Sequence, residues 1–223
     1  MALQARAEVT RQAIIEAAVD LFEEVGYGST DLTAIINRAG VTKGAFYYHF
    51  PTKQSVAAAI IDEAKTRIAE ATRSVMESPS PALDNLIRVT FVVAEVVDRD
   101  NLVWVGNQLR QAMGQISESG QKSYPERAPV YLAAVEKAVA EGDVRADIDP
   151  DEAAQTIWAS MLGCRLLSDA GGEDISARLT QAWRVLLRAI VPEQSMPHFH
   201  EFVTRISQTY PQPSSGSGTC GPQ

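Results

Sequence analysis

Thr42-Lys43-Gly44-Ala45-Phe46-Tyr47-Tyr48-His49-Phe50 reads as a short helix with a marked start, an inward face and an end. Thr42 can cap it, because its hydroxyl can accept an orphan amide of the first turn. Phe46 and Phe50 are four apart and share one face, which should point inward. Pro51 stops the helix. Just upstream, Ala39-Gly40-Val41 is a tight turn. Before it, Leu32, Ile35, Ile36 and Ala39 mark another short helix, capped by Thr30 or Asp31. Two short helices joined by a tight turn within residues 30–53 are helix-turn-helix geometry. In it the second helix projects so that its N-terminal end reaches bases in the major groove.

The residue types suit that task. Lys43 opens the helix, where a long cation can donate to guanine O6 and N7. Gly44 lets backbone approach DNA closely. Tyr47 and His49 offer donors to phosphate oxygens, and Lys53 sits at the next helix N-terminus, itself a favourable place for an anion. Between Asp31 and Asp62 there is no acidic residue, while Arg38, Lys43, His49 and Lys53 fall inside. A chain of net charge −8 has thus cleared one surface of negative charge, as phosphate contact requires. Each feature alone has a plainer meaning: a capped helix start, a core tyrosine at 47 or 48, an ordinary surface histidine. The combination in order carries the reading.

Outward from this centre the pattern stays helical. Ile14, Ala17, Ala18, Leu21, Phe22 and Val25 recur at spacings of three and four, and Gly26 stops that helix. Thr52 can cap a long helix running to about residue 77, and Ser78-Pro79-Ser80-Pro81 breaks it. Further helices are expected near 82–97, 101–117, 125–141, 150–169, 174–190 and 194–208, although Val89 to Val97 is β-branched enough to suit a strand. Pro211 to Gln223 lacks apolar periodicity and is expected to be a disordered tail. The expected fold is all-α. A three-helix helix-turn-helix domain covers 1–52, a helical ligand-binding and dimerisation bundle covers 53–210, and the tail covers 211–223.

The 223 residues are 45% hydrophobic, enough for a substantial core. Cys164 and Cys220 are far apart and fit neither a disulfide framework nor a zinc pattern, as expected in a reducing, cytoplasmic setting. No apolar run reaches the ~18 residues that span a bilayer, and the N-terminus lacks the apolar stretch of a signal peptide. No nucleophile elbow, phosphate loop or dinucleotide fingerprint is present, so no enzyme is expected. His198 and His200 beside Glu201 are two apart on a helix and point in different directions, so neither metal nor cofactor is expected.

The run 42–50, followed by Lys53 and preceded by Gly26-Tyr27 and Ala39-Gly40-Val41, closely resembles the signature of TetR-family repressors. That resemblance implies an all-helical dimer. Its body dimerises through the last two long helices and encloses a ligand pocket. It also implies DNA contacts at Thr33, Thr42, Lys43, Gly44, Tyr47, His49 and Lys53. The body resembles the γ-butyrolactone autoregulator receptors of actinobacteria, in Val144 to Pro150, in Gly163-Cys164-Arg165 and in Ala182 to Pro192. That branch places a pocket tryptophan near the start of the seventh helix. Arg127 stands there in this chain, so the architecture carries over further than the ligand does.

A buried effector site wants apolar walls with a few polar groups. Trp104, Gln108, Leu109 and Met113 share a helix face, and Tyr131, Trp158, Met161, Leu162 and Cys164 are candidates from later helices. All of them equally suit ordinary core packing. The helices at 150–169 and 174–190 carry broad apolar faces: Ala154, Ile157, Trp158, Met161 and Leu162 on one, Leu179, Ala182, Trp183, Leu186 and Ile190 on the other. They could pair with a second subunit or pack within their own. The expected partners are a pseudo-palindromic double-stranded DNA operator, a small-molecule effector and a second copy of the chain, and no membrane. The effector would release the operator, with the helix after residue 52 as lever. The alternative is a helical protein that binds or sequesters a small molecule and has no operator.

Overall fold

The computed structural model describes residues 2–114 and 123–210. Among these, every regular element is helical: α1 (Ala2–Ser29), α2 (Leu32–Arg38), α3 (Lys43–His49), α4 (Lys53–Met76), α5 (Ala82–Arg99), α6 (Asn101–Gly114), α7 (Ser123–Glu141), α8 (Pro150–Gly171), α9 (Ile175–Ile190), a 3₁₀ turn (Glu193–Ser195) and α10 (Met196–Thr209). No helix among the described residues is long and apolar enough to cross a membrane. The expected disordered tail, Cys220, the end of the expected 101–117 helix and the side chain of Arg127 lie outside the described residues.

The chain divides into two compact units. One holds residues 1–74 and 96–127, the other 75–95 and 128–223. The boundary at 52/53 separates head from body by expected role; this division follows packing, and it places α6 with the head.

In the first unit the apolar stripe of α1 is buried as its spacing requires: Ile14, Ala17, Ala18, Leu21 and Phe22 pack inward, with Ile15 beside them. Val25, expected on the same stripe, is 53% exposed. The reason is Gly26, whose φ of 81° and ψ of 154° break the helix one residue later. Only glycine enters that region readily. Of the two candidate caps for α2, Asp31 takes the role, accepting the Ala34 N–H at 2.8 Å. Thr30 turns back and donates to the Gly26 carbonyl at 2.9 Å.

Helix α6 is tied to this unit at its start and in its middle. Asp100 accepts the Leu102 N–H at 3.1 Å and pairs with Arg67 of α4 at 2.6 Å. The Asn101 amide donates to Glu23 of α1 at 2.6 Å. At Gly106 the two helices α4 and α6 cross so closely that a Cβ there would lie 2.5 Å from the Ala64 Cβ and 3.1 Å from the Ile60 carbonyl oxygen.

The segment Val89 to Val97, most of it in the second unit, lies inside α5 and is helical. Leu83, Leu86, Ile87, Thr90, Phe91, Ala94 and Val97 are buried at spacings of three and four, so burial along one stripe outweighs weak local preference. Trp183 of α9 is fully buried, and its indole N–H donates to the Thr90 hydroxyl at 2.9 Å. Asp149 caps α8 by accepting the Asp151 and Glu152 amides, and Gly172 ends it in the left-handed region.

The faces expected to pair subunits mostly serve this core. Ala154, Ile157, Met161, Leu179, Trp183 and Ile190 are buried within the chain itself. The large apolar side chains that α8 and α9 leave exposed are Leu166 (43%), Leu167 (57%) and Val185 (65%).

Candidate DNA interface and effector site

Helix α3 is built as its sequence requires. The Thr42 hydroxyl accepts the Ala45 N–H at 3.1 Å. Gly40, at φ 64°, makes the preceding turn, with its own N–H on the Asn37 carbonyl. Phe46 is fully buried and Phe50 nearly so, their rings 6.3 Å apart. Anchoring one side of a seven-residue helix this way dictates what the other side shows. Thr42, Lys43 and Gly44 are exposed, as is Thr33 on α2. Tyr47 is 45% exposed and Tyr48 80%, so neither tyrosine is a core residue. His49 is half-buried, edge-on to Tyr48 at 5.0 Å. A Cβ built on Gly44 meets no described atom within 4 Å. Nothing inside the described protein therefore demands glycine at that place.

Two of the cations in the acid-free interval face inward or sideways. Arg38 makes a two-pronged pair with Glu24 of α1, at 2.9 and 2.8 Å, with Asp20 at 3.9 Å. The Arg38 hydrogen bond holds the Glu24 carboxyl below the ordinary glutamate value. Lys53 Nζ donates to the carbonyls of Tyr27 and Thr30, both at 2.7 Å, and lies 4.5 Å from the centre of the Tyr27 ring. Lys43, by contrast, stands exposed at the start of α3. The acid-free window is a feature of the sequence: in space the carboxylates of Glu24 and Asp20, from outside it, reach Arg38. It could not reveal the partners, because Glu24 and Arg38 lie 14 residues apart and Lys53 and Tyr27 lie 26 apart.

The effector candidates fall in different units. On α6, Leu109 is buried and Trp104, Gln108 and Met113 are half-buried, all in the first unit. In the second unit Met161 is buried, and Tyr131, Trp158, Leu162 and Cys164 are half-buried. The Cys164 thiol donates to the Arg178 carbonyl at 3.7 Å, and burial pushes its pKa up, so it is poorly suited to nucleophilic chemistry. The second unit also carries an open, mainly apolar hollow of about 410 Å³, bordered by Met76, Ala82, Asn85, Val130, Ala134 and Lys137 among others. None of the nine candidates lines it.

Against known proteins, residues 14–60 match the family described as "Bacterial regulatory proteins, tetR family". Residues 80–192 match "Tetracyclin repressor-like, C-terminal domain". The A-factor receptor protein of Streptomyces griseus is 29% identical over 200 residues, covering 89% of this chain and 70% of that protein. A crystal structure of a gamma-butyrolactone receptor (ArpA-like protein) is 32% identical with a TM-score of 0.76, covering 92% of this chain and 99% of that one. The TetR family protein CprB from Streptomyces coelicolor, solved in complex with its biological operator sequence, is 33% identical with a TM-score of 0.71, covering 92% and 99%.

Proposed function

Because the chain belongs to the TetR family of bacterial regulatory proteins, we propose that its operator contacts are Thr33, Thr42, Lys43, Gly44, Tyr47 and His49, presented by residues 1–52, and that residues 53–210 bind the effector and the second subunit. The protein is a DNA-binding transcriptional repressor rather than an enzyme. As a TetR-family regulator it works as a dimer answering to a small molecule.

The observation that carries the assignment of contacts is the two-sided character of α3. Phe46 and Phe50 are sunk in the head, while Lys43, Gly44 and Tyr47 are left outside it. A helix anchored by one face and charged at its exposed N-terminal end is suited to a major groove. Two-fold symmetry then predicts a pseudo-palindromic operator, with recognition helices roughly 34–36 Å apart or a multiple of that. Lys53, expected from sequence to touch phosphate, is left out of the set because its ammonium is engaged by backbone carbonyls of the head.

For the effector we favour a γ-butyrolactone-type signal, since proteins similar over most of the chain are named as receptors for such compounds. Effector contacts are proposed for Trp104, Gln108, Leu109 and Met113 on α6 and for Tyr131, Trp158, Met161, Leu162 and Cys164 on α7 and α8. The two sets are to be substituted separately. Work on DNA, together with the absence of a disulfide pattern, supports a cytoplasmic location.

Effector and operator should oppose each other. By linkage, each then weakens the other by the same factor. The experiment is an anisotropy titration, at several fixed salt concentrations, against DNA from upstream of the protein's own coding sequence. Nanomolar binding that survives competitor DNA is expected. Lys43→Glu should weaken it at least ~100-fold, by removing a base contact and adding repulsion, while leaving dimer mass and effector binding unchanged. Weak binding erased by salt at all sequences would instead leave a small-molecule-binding protein with an idle head. Tighter operator binding with effector would make the effector a co-repressor.

A further inference from the structure

Lys53 stands where the sequence suggests a phosphate contact, and its surroundings assign it another task. We propose that Lys53 is a positioning residue: its ammonium locks the first turn of α4 to the end of α1, clamping shut the chain segment that carries α2 and α3 and so fixing how α3 meets DNA. This rests on the operator-binding reading above.

An ammonium has three N–H donors. Two are taken by the Tyr27 and Thr30 carbonyls at 2.7 Å each, and the ammonium also lies 4.5 Å from the centre of the Tyr27 ring. Those carbonyls lie in the last turn of α1 and just after it, where backbone acceptors lack helical partners and the helix dipole is negative. The Tyr27 ring is itself braced edge-on against the buried Phe22 at 5.2 Å. The socket is therefore anchored to the core of the head.

The α4 end of the contact also speaks against a phosphate. A cation at a helix N-terminus opposes the dipole, a cost the socket offsets. One amide of the first turn of α4, that of Ser55, is already engaged by the residue that precedes the helix. Ser55 N–H donates to the Thr52 hydroxyl and Thr52 N–H to the Ser55 hydroxyl, both at 3.1 Å. The lysine that suggests phosphate binding at this point thus has its partners inside the protein, and the helix start is capped in part by Thr52.

The geometry of closure gives the contact its consequence. Thr30 and Lys53 are 23 residues apart, and all of α2 and α3 lies between them. Joining the two ends removes freedom from the whole recognition segment at its base. Phe46 and Phe50 hold α3 down, and the clamp sets where the segment begins and ends.

Full-length Lys53→Met and Lys53→Arg dimers test this, each titrated with operator over a range of salt. Loss of a phosphate contact lowers the log–log salt slope by about 0.9. A positioning residue leaves the slope unchanged and lowers affinity, by about tenfold, at every salt concentration. Lys53→Arg keeps the charge, so a phosphate contact would survive it. In the socket, a planar guanidinium cannot replace the compact ammonium between two carbonyls, and affinity should fall with an unchanged slope. Amide exchange of residues 27–55 in the DNA-free proteins should quicken in both variants. A second operator with one base pair inserted at its centre completes the set, and the variants should discriminate less sharply against it than the parent does. A slope reduced in Lys53→Met and kept in Lys53→Arg, with amide exchange unchanged, overturns the proposal in favour of phosphate contact. Undiminished discrimination, with only a smaller folded fraction, overturns it in favour of simple stabilisation. Failure of the parent itself to bind operator would count against the operator reading, while the exchange measurement would still judge the socket.

Discussion

At the scale of single residues, Gly44 and Asp143 show opposite reasons for a substitution to matter. Gly44 sits in the first turn of α3, and a methyl group added there would have no described atom within 4 Å. Alanine there should cost the fold nothing, and its better helix propensity should add about 0.5–1 kcal/mol of stability. Operator affinity should nevertheless fall, because the added methyl meets DNA. Urea unfolding beside an operator titration checks the two together, and unchanged affinity would remove Gly44 from the interface. Asp143 is an internal liability. Burial raises its carboxyl pKa above the ordinary aspartate value, the Asp84 and Glu141 carboxylates push the same way, and His198 opposes them. A raised carboxylate contributes stability that is present below its unfolded value and lost as pH rises through the folded one. Asp143→Asn should therefore melt at a higher temperature than the parent at pH 7, with the gap closing as pH falls towards about 4. A gap that widens on acidification would mean that the charge is stabilised in the fold.

Among elements, α6 carries the least expected finding. It belongs to the body by position in sequence, yet it packs in the unit that holds the head. The contact at Gly106 explains how: two helices approach until a single Cβ would collide. Gly106→Ala should cost about 1–3 kcal/mol by overpacking. If α6 transmits effector binding to the head, the same change should also alter the factor by which effector weakens operator binding. Denaturant unfolding and paired titrations measure both, and lost stability with an unaltered coupling factor would make the crossing purely structural. The sequence announced the helix, its start near Asp100 and its apolar spacing. It could not announce the neighbour, since Gly106 and Ala64 are 42 positions apart and a glycine inside a helix carries no sign of what lies against it.

For the molecule as a whole, the dimer demands apolar surface that the single chain does not consume. Leu166, Leu167 and Val185 are the large apolar side chains that α8 and α9 leave exposed, and we propose them for that contact. Leu167→Glu combined with Val185→Glu should shift the dimer towards monomer in sedimentation at micromolar concentration. Operator affinity should fall with it, because a lone head reads only a half-site. A dimer that persists would place the subunit contact elsewhere on the surface.

Local order was legible in the chain itself: the helices, the caps at Thr42 and Thr52, the break at Gly26, and an anchored recognition helix with Lys43 at its exposed start. These follow from periodicity, backbone preference and hydrogen bonding between near neighbours, all of which act over a few residues. Only the folded chain decided which cations were free to meet DNA, since Arg38 and Lys53 find their partners 14 to 26 residues away. The same holds for the apolar faces of α8 and α9. Their spacing marked them as buried, but whether a face is buried by its own core or by a second subunit depends on what packs against it, and no local pattern records that.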